Sequence, residues 1–450
     1  MPVFLPTDGL VWLLVAAVAI FAWSCSRSPH LAAPWARVFH SRTAVASSLL
    51  LAAFAGVGLL DSVHYRPQLP AQEPGAPAVY SVEARSLLDV ALTPLRTRLE
   101  KTYSAPLATR LFQKEQVEQP DGRLARDFPR LRHGGAHLKD EAAWGRDVAL
   151  RVLAGLAAAI TLGSFAALVA RRTLVRRWRA VPWGAAAAAL GALLLVAGPV
   201  AMLATGYHVF GTDRVGSDVL YQALKSIRTS LVIGTLTTLV LLPLGIAAGV
   251  AAGYFKGWVD DIIQYLYTTL NSIPGVLLIA AFVLMLQVFL DNHSAWFPTS
   301  AERADVRLLA LCAILGLTSW TGLARLLRGE ALKLSELEYI QAAHAFGVSH
   351  GRILGRHILP NVSHIIIIAL VMDFSGLVLA EAVLSYVGVG VDPSTTSFGT
   401  MINSARLEMA REPMVWWSLA AAFAFMFALV LAANLFADAV RDGFDPRVRA

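Results

Sequence analysis

The stretch VSHIIIIALVMDFSGLVLAEAVLSYV, residues 362–387, contains two acidic residues, Asp373 and Glu381, and no Lys or Arg. As an α-helix these 26 residues would reach about 39 Å, more than the ~30 Å hydrocarbon thickness of a bilayer. It is too long and too uniformly apolar for a strand or a surface helix and reads as a membrane span. Working outward, similar blocks recur at 10–25, 43–62, 148–170, 182–205, 229–253, 262–290, 306–327 and 415–437. Of the 450 residues, 56% are hydrophobic and 15% charged, against about 25% charged in an average soluble chain. Mean hydropathy is +0.58. The expected fold class is all-α: a polytopic membrane protein with about nine transmembrane helices.

The net charge of +7 is placed in short loops, which points to membrane topology rather than to nucleic acid. Arginines crowd the loop Arg27 to Arg42, the loop with Arg171, Arg172, Arg176, Arg177 and Arg179, the stretch Arg325 to Arg356, and the tail with Arg441, Arg447 and Arg449. All four fall on one side of a nine-span chain if the N-terminus is outside and the C-terminus cytoplasmic. The first block lacks a basic n-region and a small-residue cleavage pattern, so it is expected to stay as a span.

Residues 63–147 form the only long polar segment. Pro67, Pro70, Pro74 and Pro77 open it as a stiff linker, and Leu87 to Phe112 is expected to form helix. Topology places it outside, and its mixed charge leaves open whether it folds alone or drapes on a partner. Cys25 and Cys312 are far apart in sequence and suggest neither a disulfide nor a zinc site. The chain has no GxxxxGK[ST], HExxH, GxSxG or CxxC run, so no catalytic residue, bound cofactor or metal is expected. His344, His350, His357 and His364 recur at six- and seven-residue intervals, without the i, i+4 pairing and the Cys or carboxylate companions of a helix-borne zinc site.

Between the seventh and eighth blocks lies ELEYIQAAHAFGVSHGRILGRHILPN, residues 336–361. Leu337, Ile340 and Ala343 or His344 have helical spacing, Gly347 is placed to end that helix in a left-handed cap, and Pro360 marks the return to the membrane. A short helix, a turn and a second helix are expected. Ala342 and Ala343 give the first helix little side-chain bulk, which suits close docking into a groove of another protein.

This stretch resembles the cytoplasmic coupling loop of ABC importer permeases: Gln341-Ala342-Ala343 stands for E-A-A, followed by Gly347 and the Ile358-Leu359-Pro360 ending. Gln341 replaces the family's glutamate, and Glu338 lies one turn earlier. Three further stretches resemble the C-type subunit of the dipeptide, oligopeptide and nickel group. HVFGTDRVGSDVL, residues 208–220, matches GTDxxGRD at Gly211, Thr212, Asp213, Gly216 and Asp218, with Ser217 in place of the common arginine. EAVLSYVGVGVDPSTTSFGTMI, residues 381–402, and NLFADAVRDGFDPR, residues 434–447, are similar to two more of its segments.

The resemblance implies a type I ABC importer permease core preceded by extra N-terminal spans. It divides the chain into two extra helices (1–62), the external polar segment (63–147), a third extra span with the Arg-rich loop (148–180), the first family span with its GTDxxGxD segment (181–228), and the permease core (229–450). It also implies a multi-pass protein of the bacterial cytoplasmic (inner) membrane, partnered by a second homologous permease, two cytoplasmic ATPases that bind ATP and Mg, an external solute-binding protein and membrane lipid, with no nucleic acid. The loop residues Glu338, Gln341, Ala342, Ala343, Gly347, Leu359 and Pro360 would couple the spans to an ATPase. The solute expected is a peptide; nickel or another peptide-like solute is the alternative, and a secondary transporter or a membrane sensor is a further one.

Within the eighth block, Asp373 and Glu381 lie about 80° apart around an ideal helix. A charge at mid-bilayer costs about 2.5 to 3.5 kcal/mol even on the lenient insertion scale, so each needs a polar cavity or a partner. Asp373 is a candidate for the passage or for an interhelix bond, and Glu381 for gating or interface structure. Pro243 with Gly245 and Gly249, and Pro274 with Gly275, mark kinks or close helix packing.

Overall fold

A computed structural model of the chain describes residues 2–69, 79–118, 124–173, 175, 181–297 and 299–444. Pro70, Pro74, Pro77, Arg176, Arg177, Arg179, Arg447 and Arg449 lie outside them.

In chain order the elements begin with β1 (Pro2–Val3), α1 (Pro6–Arg27), α2 (Pro29–Val38), α3 (Arg42–Asp61) and β2 (His64–Tyr65). The polar segment follows with β3 (Arg85–Ser86), α4 (Leu87–Ala91), α5 (Thr93–Thr97), β4 (Glu115–Glu118) and β5 (Leu124–Asp127). Next come α6 (Trp144–Thr173), α7 (Trp183–Ala204), α8 (Val219–Phe255), α9 (Gly257–Ser272), α10 (Gly275–Asn292), α11 (Ser300–Ser319) and α12 (Thr321–Ser335). The chain ends with α13 (Glu338–Ala345), α14 (His350–Ile353), α15 (Leu359–Val387), α16 (Phe398–Glu408) and α17 (Trp417–Phe444). Nine helical stretches among the described residues are long and apolar enough to cross a membrane, in the order the hydropathy predicts.

Local chemistry sets many of the boundaries. Ser86 and Asp89, and Thr299 and Glu302, form reciprocal capping boxes at the starts of α4 and α11. Pro6 sits in the first turn of α1, where its missing N–H costs nothing. Gly388, at φ 87°, ends α15 in the left-handed conformation. The sixth expected span is broken: Ile273 is extended, Pro274 precedes α10, and α9 and α10 are separate helices. The residue before a proline avoids the helical region, which accounts for the break.

The polar segment differs most from expectation. Leu87 to Phe112 is helical only in α4 and α5. Beyond them the backbone makes loop bonds instead: Glu100 N–H donates to the distant Gly216 O at 3.0 Å, and Phe112 N–H to Tyr103 O of the same segment at 3.0 Å. Pro94 and Pro106 also interrupt this stretch, and proline removes a donor that a helix interior needs.

Two compact units result. The first comprises residues 1–4, 39–230 and 395–432. In it β1, β2 and β3 form an antiparallel sheet, Pro2 opposite Tyr65 and His64 opposite Ser86, while β4 and β5 pair as a hairpin. The helices α6 and α7 pack backbone to backbone: a Cβ on Gly155 would lie 2.5 Å from the Cα of Pro199. Small residues allow this approach where lipid supplies no hydrophobic drive.

The second unit comprises residues 5–38, 231–394 and 433–450. Val232, Ile233 and Leu236 of α8 pack with Val283 of α10, Leu308, Leu311 and Leu315 of α11, and Leu384 of α15. A second cluster joins Leu241 and Val250 of α8 to Leu323, Leu327, Ala331 and Leu334 of α12. Gly249 and Gly253 face α12 so closely that a Cβ at either would lie 2.6 Å from the carbonyl of Ala324 or Arg328. The glycines after Pro243 therefore serve packing. The N-terminal α1 and α2 belong to this unit, with Thr7 N–H donating to Asp305 Oδ2 of α11 at 3.0 Å.

Candidate functional site

The loop at 336–361 is a helix, a glycine turn and a second helix. Glu338 lies in the first turn of α13, where a negative charge suits the helix dipole. At the other end Gly347 has φ 75°, its N–H donates to His344 O at 3.0 Å, and Val348 N–H donates to Ala343 O at 3.1 Å. This is a Schellman turn, with Gly347 in its left-handed position. Ala343 and Val348 both pack against the cluster of α8 and α12, as does Ile340, which is 2% exposed.

The residues of this loop singled out from the sequence therefore divide by face. Ala343 is turned inward onto the chain's own core and Leu359 packs beside it, whereas Gln341, Ala342, Phe346 and Pro360 are exposed. Phe346 is 87% exposed, an aromatic ring carried outward on a buttressed turn. Gln341 Nε2 donates to Glu336 O at 3.3 Å, and Glu336 pairs with Lys256. After α14 the chain continues through one π-helical turn, Leu354–Ile358, into α15, with Pro360 in the first turn of α15. Ile353 and Ile358 are fully buried in the same cluster, so the loop is fastened at both ends.

Two of the four histidines near this loop make local bonds. The Tyr254 hydroxyl lies 2.8 Å from His350 Nδ1, and His364 Nδ1 lies 2.9 Å from Asn361 O. Among the described residues no group of three His, Cys, Asp or Glu side chains is placed to share a metal ion.

The GTDxxGxD segment forms a cradle for the polar segment. Gly211 and Gly216 have φ 68° and 76°. A Cβ on Gly216 would strike the carbonyl oxygen of Glu100, and one on Gly211 that of Ser104. Ser104 N–H donates to Thr212 Oγ1 at 2.7 Å, Thr212 N–H returns to Ser104 O at 3.1 Å, and the Thr212 hydroxyl donates to Thr102 O at 2.9 Å. Asp213 Oδ1 accepts from Ser217 N–H at 2.8 Å and closes the turn. Asp218 caps α8 by accepting from Leu220 N–H at 2.8 Å.

Beneath this cradle His208 is clamped between two carboxylates. Its Nδ1 lies 2.7 Å from Asp218 Oδ2, and its Nε2 lies 3.4 Å from Glu100 Oε1, a charge contact rather than a short hydrogen bond. Glu100 also accepts from the N–H groups of Arg132 (2.8 Å), His133 (2.7 Å) and Gly134 (3.1 Å). Burial pushes the His208 imidazole down, but Asp218 and Glu100 outweigh it and bring its pKa up to about 9. Burial pushes the Glu100 carboxyl up, yet His208 and the three N–H donors hold it at about 2. Both groups are charged at neutral pH.

Aromatic contacts extend the junction to the start of α17. Trp417 is buried, donates from Nε1 to Thr212 O at 2.9 Å and meets the Phe112 ring edge-on at 4.8 Å. The Tyr103 hydroxyl donates to Glu408 at 3.2 Å. Nearby, Lys225 Nζ of α8 lies 2.6 Å from Asp61 of α3 and 3.1 Å from Asp89 of α4. Sequence reasoning singled out the motif but missed Glu100, Tyr103, His208, Lys225 and Trp417. Its available signal was charge at span ends, Asp61 and Lys225 above all.

The two acids of α15 have different surroundings. Glu381 is fully buried, with Ser385 Oγ donating to Oε1 at 2.7 Å. Asp373 is half-buried and has no hydrogen-bond or ion-pair partner among the described residues.

Among the described residues nine helices are long and apolar enough to cross a membrane, which makes this a polytopic all-α membrane protein. The family of binding-protein-dependent transport system inner membrane components matches residues 245–450. The chain is 33% identical to a glutathione transport system permease protein of Pectobacterium atrosepticum over 54% of its length and 74% of that protein. It is 31% identical to an oligopeptide transport system permease protein of Mycobacterium tuberculosis, over 54% of this chain and 77% of that one. A dipeptide transport system permease protein of Lactococcus lactis is 30% identical, over 53% of this chain and 64% of the relative. The chain belongs to the family of binding-protein-dependent transport system inner membrane components.

Proposed function

We propose that this chain is one permease subunit of an ATP-driven peptide importer, forming half of the pathway and taking its power stroke through the loop 336–361. The observation that carries this reading is the division of that loop into an inner face, Ile340, Ala343 and Val348, and an outer face, Ala342 and Phe346. A loop locked onto α8 and α12 transmits a push from outside as motion of the spans, because packed interiors shift between discrete arrangements rather than deform. The chain has no phosphate-binding loop in its sequence, so ATP and Mg belong to two cytoplasmic ATPases. A second homologous permease completes the pathway, and an external binding protein delivers the solute.

The arginine distribution supports a cytoplasmic loop 336–361 and C-terminus, with the N-terminus and residues 63–147 outside. The peptide reading rests on the relatives named above. It is tested by reconstituting the full assembly in vesicles and measuring ATP-dependent uptake of labelled di- and oligopeptides, with nickel as the competing solute. Uptake of nickel and of no peptide would overturn it.

A further inference from the structure

The membrane core contains a carboxylate that the packing leaves unsatisfied. Asp373 lies midway along α15 and is half-buried, with no hydrogen-bond or ion-pair partner among the described residues. The helix is well satisfied nearby: Phe374 fills the space at Gly234 and Ser375 Oγ donates to Asn434 Oδ1 at 2.6 Å. Leu370 and Gly376, one turn before and after Asp373, are exposed, and a Cβ on Gly376 would meet nothing within 4 Å. The side of α15 beside the carboxylate is therefore open. Lipid is an unfavourable neighbour for that carboxylate, since an Asp at mid-bilayer costs about 2.5 to 3.5 kcal/mol or more. Glu381, two turns on, is enclosed and bonded by Ser385, so the two acids do not share a role.

We propose that Asp373 lines the aqueous passage and receives the ammonium group of the peptide in transit. The inference rests on the importer reading above. A free peptide carries an α-amino group with a pKa of about 7.7 to 8.0, so much of it is cationic at neutral pH. A carboxylate on the wall of that passage, backed by apolar helix packing that screens charge less than bulk water does, is its natural counter-ion. The open surface around Gly376 leaves room for the chain that follows the ammonium.

The test uses the complete assembly in vesicles. With wild type as blank, Asp373→Cys should react with a hydrophilic thiosulfonate, and saturating dipeptide with binding protein should slow that reaction. Asp373→Asn should reduce the preference for a dipeptide over its N-acetylated form by roughly tenfold or more, the usual range for a lost charge-assisted bond. Asp373→Glu should retain the preference. An unreactive cysteine, or an unchanged preference in Asp373→Asn, overturns the proposal. Loss of the permease pair in Asp373→Asn with its preference intact does so too, and assigns the carboxylate to an ion pair with the partner permease. Reactivity at position 373 is read without any uptake, so a wild-type assembly that imports no peptide would count against the importer reading separately.

Discussion

Nδ1 of His208 lies 2.7 Å from Oδ2 of Asp218, both side chains buried, at the point where the polar segment meets the start of α8. With Glu100 on the other side of the ring, the contact ties the GTDxxGxD segment to the polar segment, both of which precede the residues that the family matches. It joins the stretch around Glu100 to the core of the first unit.

The linkage has a definite sign. The His208 pKa is raised from 6.5 to about 9, so its stabilisation is fully present below 6.5 and is lost as pH rises through 9. A shift of that size is worth about 3 kcal/mol. The Glu100 pKa is lowered from 4.5 to about 2, so its stabilisation is present above 4.5 and is lost as pH falls toward 2. Protease cleavage within residues 79–118 should therefore accelerate above pH 9 in detergent. His208→Gln should remove the alkaline step, and a step of the same size in that variant would rule out His208 as its source.

Gly216→Ala should detach the polar segment more severely than its size suggests. The added Cβ meets the Glu100 carbonyl at a backbone with φ 76°, and such strain costs on the order of 1 to 3 kcal/mol before any clash. The same change at Gly322, where a Cβ meets nothing within 4 Å, should be nearly silent. Thermal unfolding in detergent compares the two, and equal midpoints would contradict the cradle.

On α13 two adjacent alanines should give opposite phenotypes. Ala343→Trp forces bulk into the cluster of Ile340, Leu327 and Ile353 and should lower stability by about 1 to 3 kcal/mol. Ala342→Trp points outward and should leave stability unchanged while abolishing ATPase recruitment and uptake. Normal recruitment by Ala342→Trp would remove the outer face as the coupling surface. Gly347→Val should act through the turn, by opposing its positive φ.

The proposed topology is tested by a membrane-impermeant thiol reagent on intact cells. A cysteine introduced at Ser81 should be labelled and one at Ser349 protected. The reverse result would invert the orientation.

Deleting residues 79–118 should now cost folding as well as transport. It would remove Glu100, Asp89, Ser104 and Phe112, which contact His208, Lys225, Thr212 and Trp417. Normal yield and thermal stability of the deletion variant would show that the segment is a detachable decoration.

The class of fold is legible in the residues alone. Nine apolar blocks, most of them long enough as helices to cross a bilayer, read as helical spans, because lipid satisfies no backbone polar group. Gly347 as a left-handed cap was legible for the same local reason, since a helix end of that kind needs a residue without a Cβ. Which alanine of α13 faces inward was not, because spacing defines a stripe but not its partner. Nor was it legible that Leu87 to Phe112 gives up most of its helix, that Glu100 meets His208, or that α1 packs with α11. Those contacts join residues a hundred or more positions apart, and their energy exists only once the chain brings them together. Asp373 and Glu381 already differ in candidate role by position and motif; the packing adds the physical difference, enclosing Glu381 and leaving Asp373 open.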